Sequence, residues 1–187
     1  MINKKSWVLA IAILSAVKQS NGQKVSDYNY IFWSSTRKFT VNDFLIKTKD
    51  LETSPSFAQF SVDYQVGGFD FLAKNFNKKV RHYMIKSASW IDTTYEVTAS
   101  LKYQQTLFDL CEIYARKFRK ELKENKKKIA SGTQFVNDLN SKVMSDFQNR
   151  HVVYDRETKF GTIAGKQKEW EVQIQNELDE LKKFANE

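Results

Sequence analysis

Few side chains in this sequence could carry a reaction. There is one cysteine, Cys111, and there are two histidines, His82 and His151. A lone cysteine makes no internal disulfide. At helical spacings of three and four its neighbours are Leu107, Phe108, Tyr114 and Ala115, which puts it on an apolar face. That is the setting of a buried, inert thiol rather than a nucleophile. Neither histidine has a catalytic motif around it. The remaining candidates are carboxylates, of which Asp109, Glu112, Asp155 and Glu157 lie in two polar-apolar stretches, "YQQTLFDLCEIYARKFRKEL" and "YDRETKFG". Two carboxylates can work as acid and base. Nothing in the spacing of these four argues that they do.

The elements that position these residues are legible in outline. Thr40 and Asp43 have capping-box spacing, which predicts a short helical turn over Val41–Leu45. In "FAQFSVDYQV", Ala58, Phe60, Val62, Tyr64 and Val66 alternate with polar residues, the period of a half-buried strand. Gly67-Gly68 follows as a hairpin-turn signal. "FDFLAKNF" and "KVRHYMIKSASW" are further strand candidates. After Trp90 the period becomes helical. Thr93 and Glu96 suggest a capping box, and the first long helix is expected over Thr94–Lys126. Its basic tail reads as a solvated helix end that suits the macrodipole. Ser131-Gly132 breaks it. A second helix covers "TQFVNDLNSKVMSDFQ", with Phe135, Leu139, Val143 and Phe147 four apart. "HVVYDRETKFG" reads as an irregular connection. A last helix over Ala164–Phe184 aligns Trp170, Ile174, Leu178 and Leu181. Strands first and helices last give an α+β fold: a small antiparallel sheet followed by three helices.

The two stretches named above carry a resemblance. "YQQTLFDLCEIYARKFRKEL" and "YDRETKFG", followed by Gln167 and Trp170, resemble segments of a bacterial family of exported, predicted zinc-dependent proteases of the zincin type, a domain of unknown function. In that family the helix carries His-Glu-Gln-x-His-Phe-Asp and then Tyr-Ala-Arg, and the later segment Tyr-Asp-x-Glu-Thr-x-His-Gly. This chain has Gln105, Phe108, Asp109, Glu112, Tyr114, Ala115 and Arg116 in register. "FWSSTRKFTVNDF" and "SASW" also resemble early segments of the family. The resemblance implies a zincin-like fold over residues 23–187.

The resemblance also implies which chemistry is missing. Zincin histidines at i and i+4 donate imidazole nitrogen to zinc, and the glutamate after the first activates a metal-bound water. Here those positions are Tyr103, Leu107 and Gln104, and the late histidine, taken as the third ligand, falls on Phe160. Three ligands and the base are all replaced. The expectation is a degenerate metallopeptidase-like domain with no catalytic residue, no metal and no cofactor. Tyr103, Leu107 and Phe160 are expected to plug the former site. The retained residues Asp109, Glu112, Tyr154, Asp155, Glu157 and Trp170 would either orient imidazoles that are gone or serve as structural hydrogen-bonding groups; the loss of the ligands favours the structural role.

The N-terminus reads as an address. Lys4 and Lys5 precede the uncharged run Trp7–Val17, which is followed by polar "KQSNGQ". This order matches a secretory signal over residues 1–22, with cleavage after Gly22, and the run is too short to span a bilayer. A buried N-terminal helix and a retained short anchor fit the pattern less well. Removing Lys4, Lys5 and Lys18 takes the 30 basic residues to 27 against 22 acidic ones, a net charge of +5 on 165 residues. That length suffices for one domain with its own core. The modest basic excess reads as surface charge rather than a nucleic-acid footprint. The expectation is a periplasmic or extracellular protein whose partner is a protein or envelope component, with no nucleic acid and no membrane span after cleavage. A hydrolase of non-zinc mechanism, or an active metallopeptidase aligned wrongly here, is the alternative reading.

Overall fold

A computed structural model describes residues 27–50, 54–66, 70–94 and 96–186. The expected export signal and the Gly67-Gly68 turn lie outside the described residues. The strands are β1 (Tyr30–Phe32), β2 (Ile46–Thr48), β3 (Ser56–Tyr64) and β4 (Val80–Asp92), and the helices are α1 (Val97–Glu124), α2 (Lys126–Ala130), α3 (Gln134–Thr158) and α4 (Ala164–Glu180).

β4 is the spine of the sheet. β3 runs antiparallel along one edge of it; β1, antiparallel, and β2, parallel, share the other. The sheet is therefore mixed, not antiparallel as expected. Strand direction depends on how the chain between β2 and β4 is routed, which alternation does not encode. The β3–β4 register shifts between Phe57 and Gln59. There the Ser89 hydroxyl accepts from the Gln59 N–H at 3.0 Å and donates to the Ile85 carbonyl at 2.6 Å, so a side chain fills the gap in the ladder.

α1 is packed on both sides. The sheet covers one side and α3 and α4 cover the other. Sixteen of its 28 residues are buried, which identifies it as the central layer rather than a surface helix with one apolar stripe. On the sheet side Phe108 stacks between Phe39 and Phe60, with ring centroids 5.0 Å apart in each pair. Cys111 is buried in this core, and burial pushes its thiol pKa well up. Among the described residues no helix is long and apolar enough to cross a membrane.

Several expectations change. The capping box at Thr40 and Asp43 forms, but on a 3-10 turn of three residues, Val41–Asp43. The one at Thr93 and Glu96 does not. The neighbouring Thr94 hydroxyl and N–H donate to the Asp92 carboxylate instead, at 2.6 and 2.8 Å, and α1 begins at Val97. From Asp70 on, "FDFLAKNF" is not a strand; 3-10 turns at Asp70–Leu72 and Phe76–Lys79 lead into β4. Among the described residues four helices, counting the one-turn α2, replace three. Most consequential for the site, "HVVYDRET" is not an irregular connection: α3 runs unbroken to Thr158. The last helix ends at Glu180, with a 3-10 turn over Lys182–Phe184 after it.

Candidate functional site

Of the residues singled out by the resemblance, Tyr103, Tyr154, Asp155 and Phe160 gather where α1 meets α3 and its C-terminal turn. Tyr103 is 2% exposed, and its ring stacks on that of Tyr154, with centroids 5.0 Å apart and planes within 5°. The Tyr103 hydroxyl donates to the Asp155 carboxylate. The same carboxylate oxygen lies 3.2 Å from His151 Nε2, one turn earlier on α3. The Tyr154 hydroxyl donates to Gln167 Oε1 at 2.8 Å and lies 3.1 Å from the Tyr103 carbonyl. Gln167 Nε2 donates to the Thr106 hydroxyl at 2.9 Å, and that hydroxyl donates to the Lys102 carbonyl. Apart from the Asp155 carboxylate, the groups that join these three helices are buried and uncharged. Burial, and then the neighbouring Asp155 charge, push the Tyr103 hydroxyl far above the ordinary phenol range. It stays a donor and is no base.

A tight turn brings Phe160 to this place. Lys159 and Phe160 are left-handed, with φ of 46° and 56°, and Gly161 has φ of 83°. The Thr158 hydroxyl donates to the Tyr154 carbonyl at 2.8 Å and accepts from the Gly161 N–H at 3.2 Å. Gly161 is required for a second reason: a Cβ there would sit 2.7 Å from the Tyr103 Cβ. The backbone of the turn rests directly on α1. Phe160 meets the Tyr103 ring edge to face, centroids 6.2 Å apart, but remains 40% exposed. The contact forms and the burial does not. Phe160 is a cap on Tyr103, not the core plug expected.

The two other positions matched to the zincin motif, Gln104 and Leu107, point elsewhere. Gln104 is buried and faces the sheet, where its Nε2 donates to Ser56 Oγ at 3.0 Å; its Oε1 has no partner among the described residues. Leu107 is 3% exposed in the hydrophobic core. The retained residues all have partners. Asp109 accepts from Trp33 Nε1 at 2.8 Å and Gln105 Nε2 at 3.2 Å, and burial raises its pKa. Glu157, exposed at the end of α3, accepts from Trp170 Nε1 of α4 at 2.9 Å.

Glu112 belongs to a different cluster, one that the sequence reading did not assemble. Its Oε1 accepts from Arg119 Nη1 at 2.7 Å and Arg116 Nε at 3.1 Å, and its Oε2 lies 3.4 Å from His82 Nδ1 of β4. All four side chains are nearly fully buried. Arg119 also donates to the Val80 carbonyl from two nitrogens and to the Phe184 carbonyl; Arg116 donates to the Leu178 carbonyl. The cluster clamps the start of β4 and the C-terminal turn onto α1. Burial alone would raise the Glu112 carboxyl, but the adjacent His82 imidazole and the Arg119 charge outweigh it and hold the pKa at about 2. Burial lowers the His82 pKa, so the imidazole is neutral. One signal was available: His82 shares the inward parity of Val80 and Met84 on β4.

Among the described residues no three His, Cys, Asp or Glu side chains converge as a metal would need. Two shallow concavities lie away from α1 residues 103–107: one at the β1 edge, and one lined by residues 73–78, Lys123, Ala185 and Asn186. Comparison of the chain with protein-family models, curated proteins and solved structures finds no match.

Proposed function

We propose that this chain is an exported, non-catalytic domain derived from a zincin-type protease frame, acting as a binding or structural protein in the periplasm or outside the cell. The support comes from the sequence resemblance together with one observation: the side chains at the former ligand and base positions are engaged within the chain. Tyr103 is held by Asp155, Gln104 by Ser56, and Leu107 by the core. None of these three offers an imidazole or a carboxylate to a metal, and all three are buried. The partner would be a protein or envelope component that meets the outer surface.

The experiment is metal analysis of protein purified in the presence of zinc, alongside a peptide-hydrolysis assay. The expected outcome is no stoichiometric zinc and no hydrolysis. About one tightly held zinc per chain would overturn the reading. A converse test asks whether the frame survives. Tyr103→His, Gln104→Glu, Leu107→His and Phe160→His together should bring weak zinc uptake, and no single one of them should. A folded quadruple variant that takes up none would mean that the alignment, or the match of Phe160 to the third ligand, is wrong. Export is tested separately by the N-terminus of the protein isolated from cells, expected at Gln23.

A further inference from the structure

The sheet face turned away from α1 carries aromatic side chains. Ile31 of β1 is buried, and Tyr30 and Phe32 on either side of it project outward. Both meet Tyr83 of β4, with centroids 5.0 and 5.5 Å away. Lys86 Nζ lies over the Tyr28 ring at 4.5 Å, and the Arg81 guanidinium over the Phe32 ring at 5.4 Å. At the β1 edge, Tyr28, Tyr30, Ile31, Phe32, Arg37 and Lys86 line an open concavity of about 330 Å³. No acidic side chain is among these lining residues. Arg37 is 47% exposed and pairs through one nitrogen with Asp43 at 2.6 Å. Tyr28 is 73% exposed, a large aromatic surface left in water.

The geometry points to a surface site for an acidic sugar, a hexuronate unit of a glycan. The C–H face of a pyranose is weakly positive and lies well against the negative face of an aromatic ring. A ring carboxylate would take charge-assisted hydrogen bonds from the guanidinium nitrogens that Arg37 does not give to Asp43, with the Lys86 ammonium as a second positive charge on the same lining. The concavity is shallow and at the small end for ligand sites, which suits one or two sugar rings at a surface. Two other occupants fit less well. Single-stranded nucleic acid wants a succession of bare ring faces, whereas of the lining rings Tyr28 alone is mostly exposed, enough for one sugar ring on the face that Lys86 leaves open. An added peptide strand wants a long free edge, and β1 has three residues. The site lies on the sheet and is independent of what became of the α1 face.

Titration calorimetry on the whole chain at low salt tests it, using tetragalacturonate, neutral cellotetraose and a short oligothymidylate. The acidic tetrasaccharide should bind saturably and at least about tenfold more tightly than the other two, because only it combines ring faces with carboxylates. Lys86→Met and Tyr28→Ala, both at surface positions, should each weaken it by about tenfold. Arg37→Lys keeps a cation for Asp43 but loses the fork, and should weaken it similarly. Circular dichroism melts should match the parent protein. No saturable binding, equal binding of the neutral sugar, tighter binding of the oligonucleotide, or unchanged affinity in folded variants would each overturn the assignment.

Discussion

Around Tyr103, α1 hides its polar atoms mostly with uncharged partners, namely stacked phenols, an amide and a threonine hydroxyl; the one carboxylate there, Asp155, stays 21% exposed. Roughly two and a half turns later, around Glu112, it hides them with full charges, each side chain no more than 5% exposed. The first arrangement joins helix to helix. The second joins α1 to β4 and to the C-terminal turn. The difference lies in what happens when one partner is lost. An uncharged donor left alone costs one desolvated group, about 1–3 kcal/mol; a buried charge left alone costs more, about 3–5 kcal/mol. The Glu112 region should therefore be the more fragile, although it holds none of the positions that the resemblance matches to zincin ligands and base.

Glu112→Ala is the sharpest way to break this comparison. It strands Arg116 and Arg119 in the interior and should cost about 3–5 kcal/mol in urea unfolding. If it costs no more than the substitutions around Tyr103 below, the distinction fails. The same region sets the acid response. The His82 pKa is lowered in the fold, so as pH falls below its ordinary 6.5 the unfolded chain takes up a proton that the fold refuses, and stability drops. Glu112 stays ionised in the fold down to about 2, while the unfolded chain protonates from about 4.5, so a second loss runs between those values. Glu112→Ala should abolish that second loss, as read from unfolding midpoints across pH.

Gly161→Ala comes next. Its φ is left-handed and the new methyl would lie 2.7 Å from Tyr103 Cβ, so either the turn or α1 must move. About 2–3 kcal/mol is expected, the upper part of the range for a strained backbone position. A thermal melt unchanged from the parent would mean that the turn does not rest on α1. Tyr154→Phe keeps the stack and removes the hydroxyl, leaving Gln167 Oε1 without its donor; about 1–2 kcal/mol is expected. Phe160→Ala is the smallest. With 40% of the side chain exposed, its loss should cost about 1 kcal/mol, not the several expected of a buried phenylalanine. A cost above about 3 kcal/mol would restore the plug.

Particular residues explain how far reading alone could go. The alternation from Ala58 to Val66 and the break at Ser131-Gly132 are written in neighbouring side chains; the strand stands at Ser56–Tyr64, two residues short of Val66, and the break follows α2, which a turn at Asn125 separates from α1. The end of α3 was not legible, because Val152, Val153 and Thr158 are mediocre helix formers and the stretch is polar. Its helicity is held from outside, by Tyr154 on Tyr103 and Glu157 on Trp170. The proximity of Phe160 to Tyr103 came from the family pattern; nothing in local spacing implied it. The exposure of Phe160 came only with the turn geometry.

By itself the sequence determined that strands come first and helices last, the apolar run at the N-terminus, and the absence of imidazole and carboxylate from positions 103, 104, 107 and 160, since these are properties of single residues and short periods; it did not show the short strands β1 and β2. Tertiary structure alone decided that β2 lies parallel to β4, and that His82 reaches Glu112 across 30 residues. It also decided that α1 is buried on both sides. The physical reason is the same in each case. A buried polar group must find its partner wherever the chain brings one, and a residue's neighbours in sequence do not say which distant carbonyl or carboxylate that will be.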